Sequence, residues 1–95
     1  MVVAEFSITP LGEDELKPFI DAAVREVEKS GLKYEVDAMA TTVEGDLEDI
    51  LNVIKNAHTA VKAMGVERAL LEIRIDDSSE GVTIEEEVAD YRAAV

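Results

Sequence analysis

Cysteine is absent from the 95-residue chain, and histidine occurs once, at His58. Without a thiol there is no disulfide scaffold, no thiolate zinc site and no cysteine nucleophile, and a lone imidazole excludes any site that takes two from one chain. Aromatic residues make up 4% of the sequence, so an interior must be assembled from Val, Ile, Leu and Ala. Cations are scarce as well: 9 Lys and Arg stand against 22 Asp and Glu, a formal net charge of −13. Phosphate backbones and anionic lipids repel such a chain unless its cations cluster, and no cluster is visible, so neither nucleic acid nor a membrane is an expected partner. No apolar run approaches the roughly 20 residues of a bilayer span. Met1-Val2-Val3-Ala4-Glu5 has neither the basic start nor the apolar stretch of a signal peptide, and a cytoplasmic location is expected. The 5 glycines are scattered and form neither a Walker loop nor a dinucleotide fingerprint, and no Gly-x-Ser-x-Gly turn surrounds a serine. The expectation is a protein that is not an enzyme and needs no cofactor.

What is present reads as one domain spanning residues 1–95, since a domain commonly holds roughly 100–150 residues. Residues 2–9 alternate, Val2, Ala4, Phe6 and Ile8 against Val3, Glu5, Ser7 and Thr9, which predicts a half-buried strand. Pro10-Leu11-Gly12 interrupts it. Leu16, Phe19, Ile20, Ala23, Val24 and Val27 then predict a helix with Pro18 in its first turn, an Asp21–Arg25 pair on its surface and a stop at Ser30-Gly31. Residues 32–44 are extended but long for one strand, which predicts a hairpin bending around Asp37 to Ala40. A second helix, capped by Asp46, carries Leu47, Ile50, Leu51, Ile54, Ala57, Val61 and Met64 as far as Gly65. Residues 66–76 supply the last strand, with Leu71, Ile73 and Ile75 opposed to Leu70, Glu72, Arg74 and Asp76. Thr83-Ile84-Glu85-Glu86 is a capping box, opening a terminal helix whose Ile84, Val88, Tyr91 and Val95 form a narrow seam. The order βαββαβ plus a C-terminal helix predicts an α+β, ferredoxin-like sandwich: a four-stranded antiparallel sheet with two helices on one face.

The opposite face is then left bare. Alternation assigns Glu5, Ser7, Thr9, Glu72, Arg74 and Asp76 to it, and the hairpin adds from Thr41, Thr42 and Glu44 in a phase that its apolar residues leave open. Polar residues on an open sheet face are ordinarily a solvated surface. Read as a site, fixed carboxylates and hydroxyls favour a cationic ligand with hydrogen-bonding groups. Asp76, Ser78, Glu80, Gly81 and Glu87 fall on the spacing of a calcium loop, but a strand enters it rather than a helix, and the capping box already accounts for the acidic turn. His58 has no nucleophile or second ligand near it in sequence and reads as structural.

Four segments together resemble the small thiamine-binding protein family across nearly the whole chain. They are Val3-Ala4-Glu5-Phe6-Ser7-Ile8 with Pro10 and Gly12; Met39-Ala40-Thr41-Thr42-Val43-Glu44-Gly45; the His58 to Gly65 helix end; and Ile73-Arg74-Ile75-Asp76-Asp77. The resemblance implies a ferredoxin-like domain assembled as a homodimer or homotetramer that binds thiamine, or its hydroxymethylpyrimidine half, without performing a reaction. On that basis Ser7, Thr41 or Thr42, and Glu44 are expected to hydrogen-bond the pyrimidine, Met39 to pack on its flat face, and Asp76 to add negative potential for the thiazolium. Members of the family often carry an Arg soon after the paired aspartates and hydroxyl residues at the start of the first helix, where this chain has Ser78-Ser79 and Glu13-Asp14. The competing expectation is a structural oligomer with no small-molecule ligand.

Overall fold

The computed structural model describes residues 1–92. Its elements are β1 (Val2–Pro10), α1 (Lys17–Ser30), β2 (Lys33–Val36), β3 (Thr41–Gly45), α2 (Leu47–Lys62), β4 (Ala69–Asp76) and α3 (Ile84–Arg92). The strands form one antiparallel sheet in the order β2-β3-β1-β4, with β1 and β3 central and β2 and β4 at the edges. This is the expected ferredoxin-like arrangement.

The period-two pattern of β1 decides which way the sheet faces. Val2, Ala4 and Phe6 are buried beneath α1 and α2, together with Val43 of β3. From the helices come Ala23 and Val27 of α1 and Ile50, Val53, Ile54, Ala57 and Val61 of α2. The core is aliphatic apart from Phe6, as the composition requires. Pro18 stands in the first turn of α1, and Gly31 ends that helix at φ 74°, a left-handed conformation that a side chain would strain. Asp21 pairs with Lys17 at 3.0 Å instead of with Arg25, the alternative neighbour one turn away on the same helix face. The hairpin turns where expected, the Asp37 N–H donating to the Ala40 carbonyl at 2.9 Å.

The second sheet face is not wholly bare. The Glu44 carboxylate accepts the Ile84 N–H at 2.7 Å, Lys33 pairs with Glu85 at 3.1 Å, and Glu35 forms a two-pronged ion pair with Arg92. In the sheet register Lys33 lies opposite Glu44, and Glu35 opposite Thr42, so all of these groups project from the face turned away from α1 and α2. α3 therefore lies across the β2–β3 half of that face, with Val82 and Ile84 buried beneath it. Thr83 caps it, its hydroxyl accepting the Glu86 N–H at 3.2 Å. Along the expected seam Ile84 is buried, Val88 half-buried and Tyr91 exposed, and Val95 lies outside the described residues. Among the described residues no helix is long and apolar enough to cross a membrane.

Candidate functional site

Two features of the register create the site. β1 is nine residues long and pairs with β4 as far as Pro10, whereas β3 follows it only to Thr41, opposite Phe6. From Ser7 onward, β1 has no strand on its β3 side. The gap is bounded by the N-terminal half of α1 and by the hairpin turn, which leaves a cleft of about 250 Å³ lined by Ser7, Ile8, Leu16, Ile20, Met39 and Thr41 among others. Leu16 and Ile20 belong to the apolar stripe of α1 yet stay 40% and 46% exposed, because the sheet beneath them has run out. Met39, at the tip of the turn, is 87% exposed. Apolar plates with a few polar groups between them are the usual make-up of a small-molecule site.

Beside the cleft, on the uncovered half of the outer face, are two further depressions. One, of about 410 Å³, shares Ser7 and Met39 with the cleft and adds Glu5, Glu72 and Arg74. The other, of about 350 Å³, is lined by Val3, Glu5, Thr42, Arg74 and Asp76. The Glu5–Arg74 ion pair, at 3.3 Å, forms the ridge between them. A larger groove of about 540 Å³ runs between α1 and α2, but its rim alternates in charge, from Lys17 and Asp21 to Arg25 and Glu26, and it contains none of the expected site residues.

The six expected residues therefore fall into three groups. Ser7, Met39 and Thr41 meet at the cleft. The register puts the two threonines on opposite faces: Thr41 pairs with Phe6 and is buried on the helix side, while Thr42 pairs with Glu5 on the outer face. Thr42 and Asp76 share the second depression. Glu44 stands apart, 91% buried from solvent (9% exposed) and engaged with the start of α3. It lies opposite Val3, four residues from Ser7, or about 13 Å along the strand at roughly 3.3 Å per residue. One pyrimidine ring cannot touch both. Its distance from Ser7 follows from the register, which the sequence left open.

Sequence reasoning missed Leu16, Ile20, Ile8 and Glu72 as lining residues. The first three looked like core positions. The signal available for Glu72 was its place opposite Ser7 on an alternating strand, the same signal that brought out Ser7. His58 is half-buried on α2, outside all of these depressions. Among the described residues no group of His, Asp or Glu side chains is gathered as a metal shell, the Asp76–Glu87 turn included. The Ser78 hydroxyl in that turn accepts the Glu80 N–H at 3.3 Å.

Two groups near the sheet titrate away from their ordinary values. Hydrogen bonding to Arg92 holds the Glu35 carboxyl low, and burial, followed by the neighbouring Glu28 carboxylate, pushes the Tyr34 phenol up. Neither lines the cleft.

Comparison with known proteins covers the whole of this architecture. The family model described as thiamine-binding protein matches residues 4–92. A UPF0045 protein of Clostridium perfringens is 35% identical over 86 residues, 90% of each chain. Another, from Methanocaldococcus jannaschii, is 40% identical over 77 residues, 80% of this chain and 76% of that one. Among solved structures, a domain of unknown function from Bacillus cereus superposes with a TM-score of 0.90 at 39% identity, covering 98% of this chain and 91% of its own. A Thermotoga maritima protein, assigned provisionally to thiamine biosynthesis or salvage, superposes at 0.88 with 36% identity, covering 96% and 98%. With a family match across nearly its whole length and relatives well above 30% identity, this chain belongs to the thiamine-binding protein family.

Proposed function

We propose that this protein binds thiamine, or the hydroxymethylpyrimidine half of it, without chemical conversion, as a carrier or sensor working as a homo-oligomer. The observation that carries the reading is the cleft where β3 stops short of β1, which brings Ser7, Met39 and Thr41 together beside an acidic depression. At about 250 Å³ the cleft is smaller than the roughly 300–1,000 Å³ of sites for larger ligands, which suits one flat ring rather than two. The pyrimidine enters it between Met39 and Ile20, with the Ser7 and Thr41 hydroxyls at its edge. The thiazolium, permanently positive, then lies outward over Glu72, a carboxylate next to Ser7 that has no ion-pair partner among the described residues. Asp76 lies one depression further, beside Thr42, and adds long-range negative potential.

Isothermal titration with thiamine and with hydroxymethylpyrimidine tests this directly. Both bind the unaltered protein. Ser7→Ala weakens both by roughly threefold to tenfold, the equivalent of one neutral hydrogen bond. Ile20→Lys, which puts a charged chain across the cleft at an exposed position, abolishes binding of both, while its unfolding free energy stays within about 0.5 kcal/mol of the parent. No heat of binding from either compound at millimolar concentration defeats the reading.

Homo-oligomerisation is supported by β4, an edge strand on which Leu70, Ile73 and Ile75 are all exposed. An apolar unpaired edge of this kind recruits another strand unless it is guarded.

A further inference from the structure

The direction of each main-chain group of β1 follows from one hydrogen bond. The Leu11 N–H donates to the Arg68 carbonyl at 2.8 Å, one step beyond the Pro10↔Ala69 pair and in the same register that begins at Val3↔Asp76. In an antiparallel ladder the residues that exchange bonds alternate along each strand, and the N–H and C=O of one residue point to the same side. Counting back from Leu11, it is Thr9, Ser7, Glu5 and Val3 that turn their main-chain groups to β4. Ile8, Phe6 and Ala4 turn theirs to β3. Since β3 reaches only Thr41, opposite Phe6, the N–H and C=O of Ile8 face the cleft past the end of that strand. Among the described residues no turn or loop bond closes on them, and the nearest turn satisfies itself through Asp37 and Ala40. The next residue on that side is Pro10, which has no N–H to offer.

Resting on the reading above, that the cleft takes the pyrimidine, we propose that the main chain of Ile8 recognises the ring: its N–H donates to a ring nitrogen and its carbonyl accepts from the neighbouring 4-amino group. A 4-aminopyrimidine presents that acceptor and donor side by side along one edge, the complement of a single residue's N–H and C=O. The flat ring thus adds to the sheet as a one-residue strand. A peptide strand would need a row of such pairs, whereas one residue's pair is free and the Asp37–Ala40 turn occupies the path a longer strand would take. Leu16 and Ile20 shield these bonds from water on one side and Met39 on the other, where exclusion of solvent strengthens them. The side chains at the ring edge then tune affinity, and the backbone sets which ring is accepted.

The test is a nitrogen-15 NMR titration with amide hydrogen exchange, using 2-methyl-4-amino-5-hydroxymethylpyrimidine and its 4-oxo analogue, in which donor and acceptor change places. In the free protein the Ile8 amide exchanges quickly, while the laddered Phe6 and Ser7 amides are protected. Saturation with the amino compound moves the Ile8 resonance downfield and slows its exchange by about tenfold or more. The 4-oxo analogue binds about tenfold more weakly or not at all, having lost both bonds. An Ile8 amide as protected as Phe6 before ligand is added, or unmoved while Glu5, Thr42 and Asp76 shift, overturns the proposal and leaves pyrimidine binding standing. Equal affinity for the 4-oxo compound does the same. Absence of any shift at millimolar concentration overturns both the proposal and the function it rests on.

Discussion

Glu44 shows how a residue's chemistry and its employment can part company. A carboxylate on a sheet face beside two threonines looks like a ligand group, and the family resemblance implied as much. Its oxygen instead accepts the Ile84 N–H at 2.7 Å, one of the orphan donors at the start of α3. Beneath α3 this bond is shielded from solvent, and a charged acceptor at a helix N-terminus also suits the helix dipole. Removing it leaves a buried N–H unsatisfied. Glu44→Ala is therefore expected to lower the unfolding free energy by about 1–3 kcal/mol, and Glu44→Gln, which keeps an oxygen in place, by distinctly less. Denaturant unfolding measures both. Neither substitution should change affinity for hydroxymethylpyrimidine by more than about twofold, because Ser7 lies about 13 Å away along the sheet. A matching loss of affinity in Glu44→Gln would return this residue to the binding site.

α3 is attached to the sheet by few bonds, and at the element scale it has a pH dependence of defined sign. Arg92 holds the Glu35 carboxyl below its ordinary value of 4.5, so the pair's contribution is fully present above that value and fades as pH falls through the lower folded one. Both side chains are partly solvated, so the pair is a weak contact that salt screens further. Proteolysis within α3 should accelerate as the pH falls below that ordinary value in the parent, and Glu35→Gln should cleave at the faster rate already at pH 7. The elements themselves were largely legible in the sequence. β1 alternates over its whole length, Pro18 and Gly31 bracket α1, and the long extended stretch from Leu32 could only be a hairpin. Two things were not. No Asn-Gly or Asp-Gly marked the bend, so the phase of β3 stayed open and with it the sides of Thr41 and Thr42. The exposure of Leu16 and Ile20 depends on where β3 ends relative to β1, a relation between distant segments that helical periodicity does not contain. The cleft is built from that mismatch, which is why the open face was read as the site and the cleft beside it was missed. The narrow seam of α3 likewise begins at Ile84, which is buried on its own sheet.

For the whole molecule, an excess of negative charge opposes close association, and at −13 per chain any dimer must place its few cations well. β4 meets that requirement. Antiparallel pairing of two copies about a two-fold axis at Ile73 sets Glu72 of each copy opposite Arg74 of the other, giving two cross-strand ion pairs, and brings Ile73 and Ile75 onto one continuous apolar strip. Centring the axis on Arg74 instead would oppose two guanidiniums and set Glu72 against Asp76. The cleft lies on the other side of β1, so such a dimer leaves the cleft itself open and engages only Glu72 at its outer rim. Cross-strand charge pairs contribute roughly 0.2–1 kcal/mol each, and like charges cost as much, so reversing one partner should raise the dimer dissociation constant by about tenfold or more. Sedimentation velocity should accordingly find Glu72→Arg and Arg74→Glu each shifted toward monomer. The double variant carrying both substitutions should recover most of the dimer, because the pairs are restored with their signs exchanged. A double variant as dissociated as the single ones would show that these pairs do not join the copies, and a parent chain that sediments as a monomer at every concentration would remove β4 from any role in assembly.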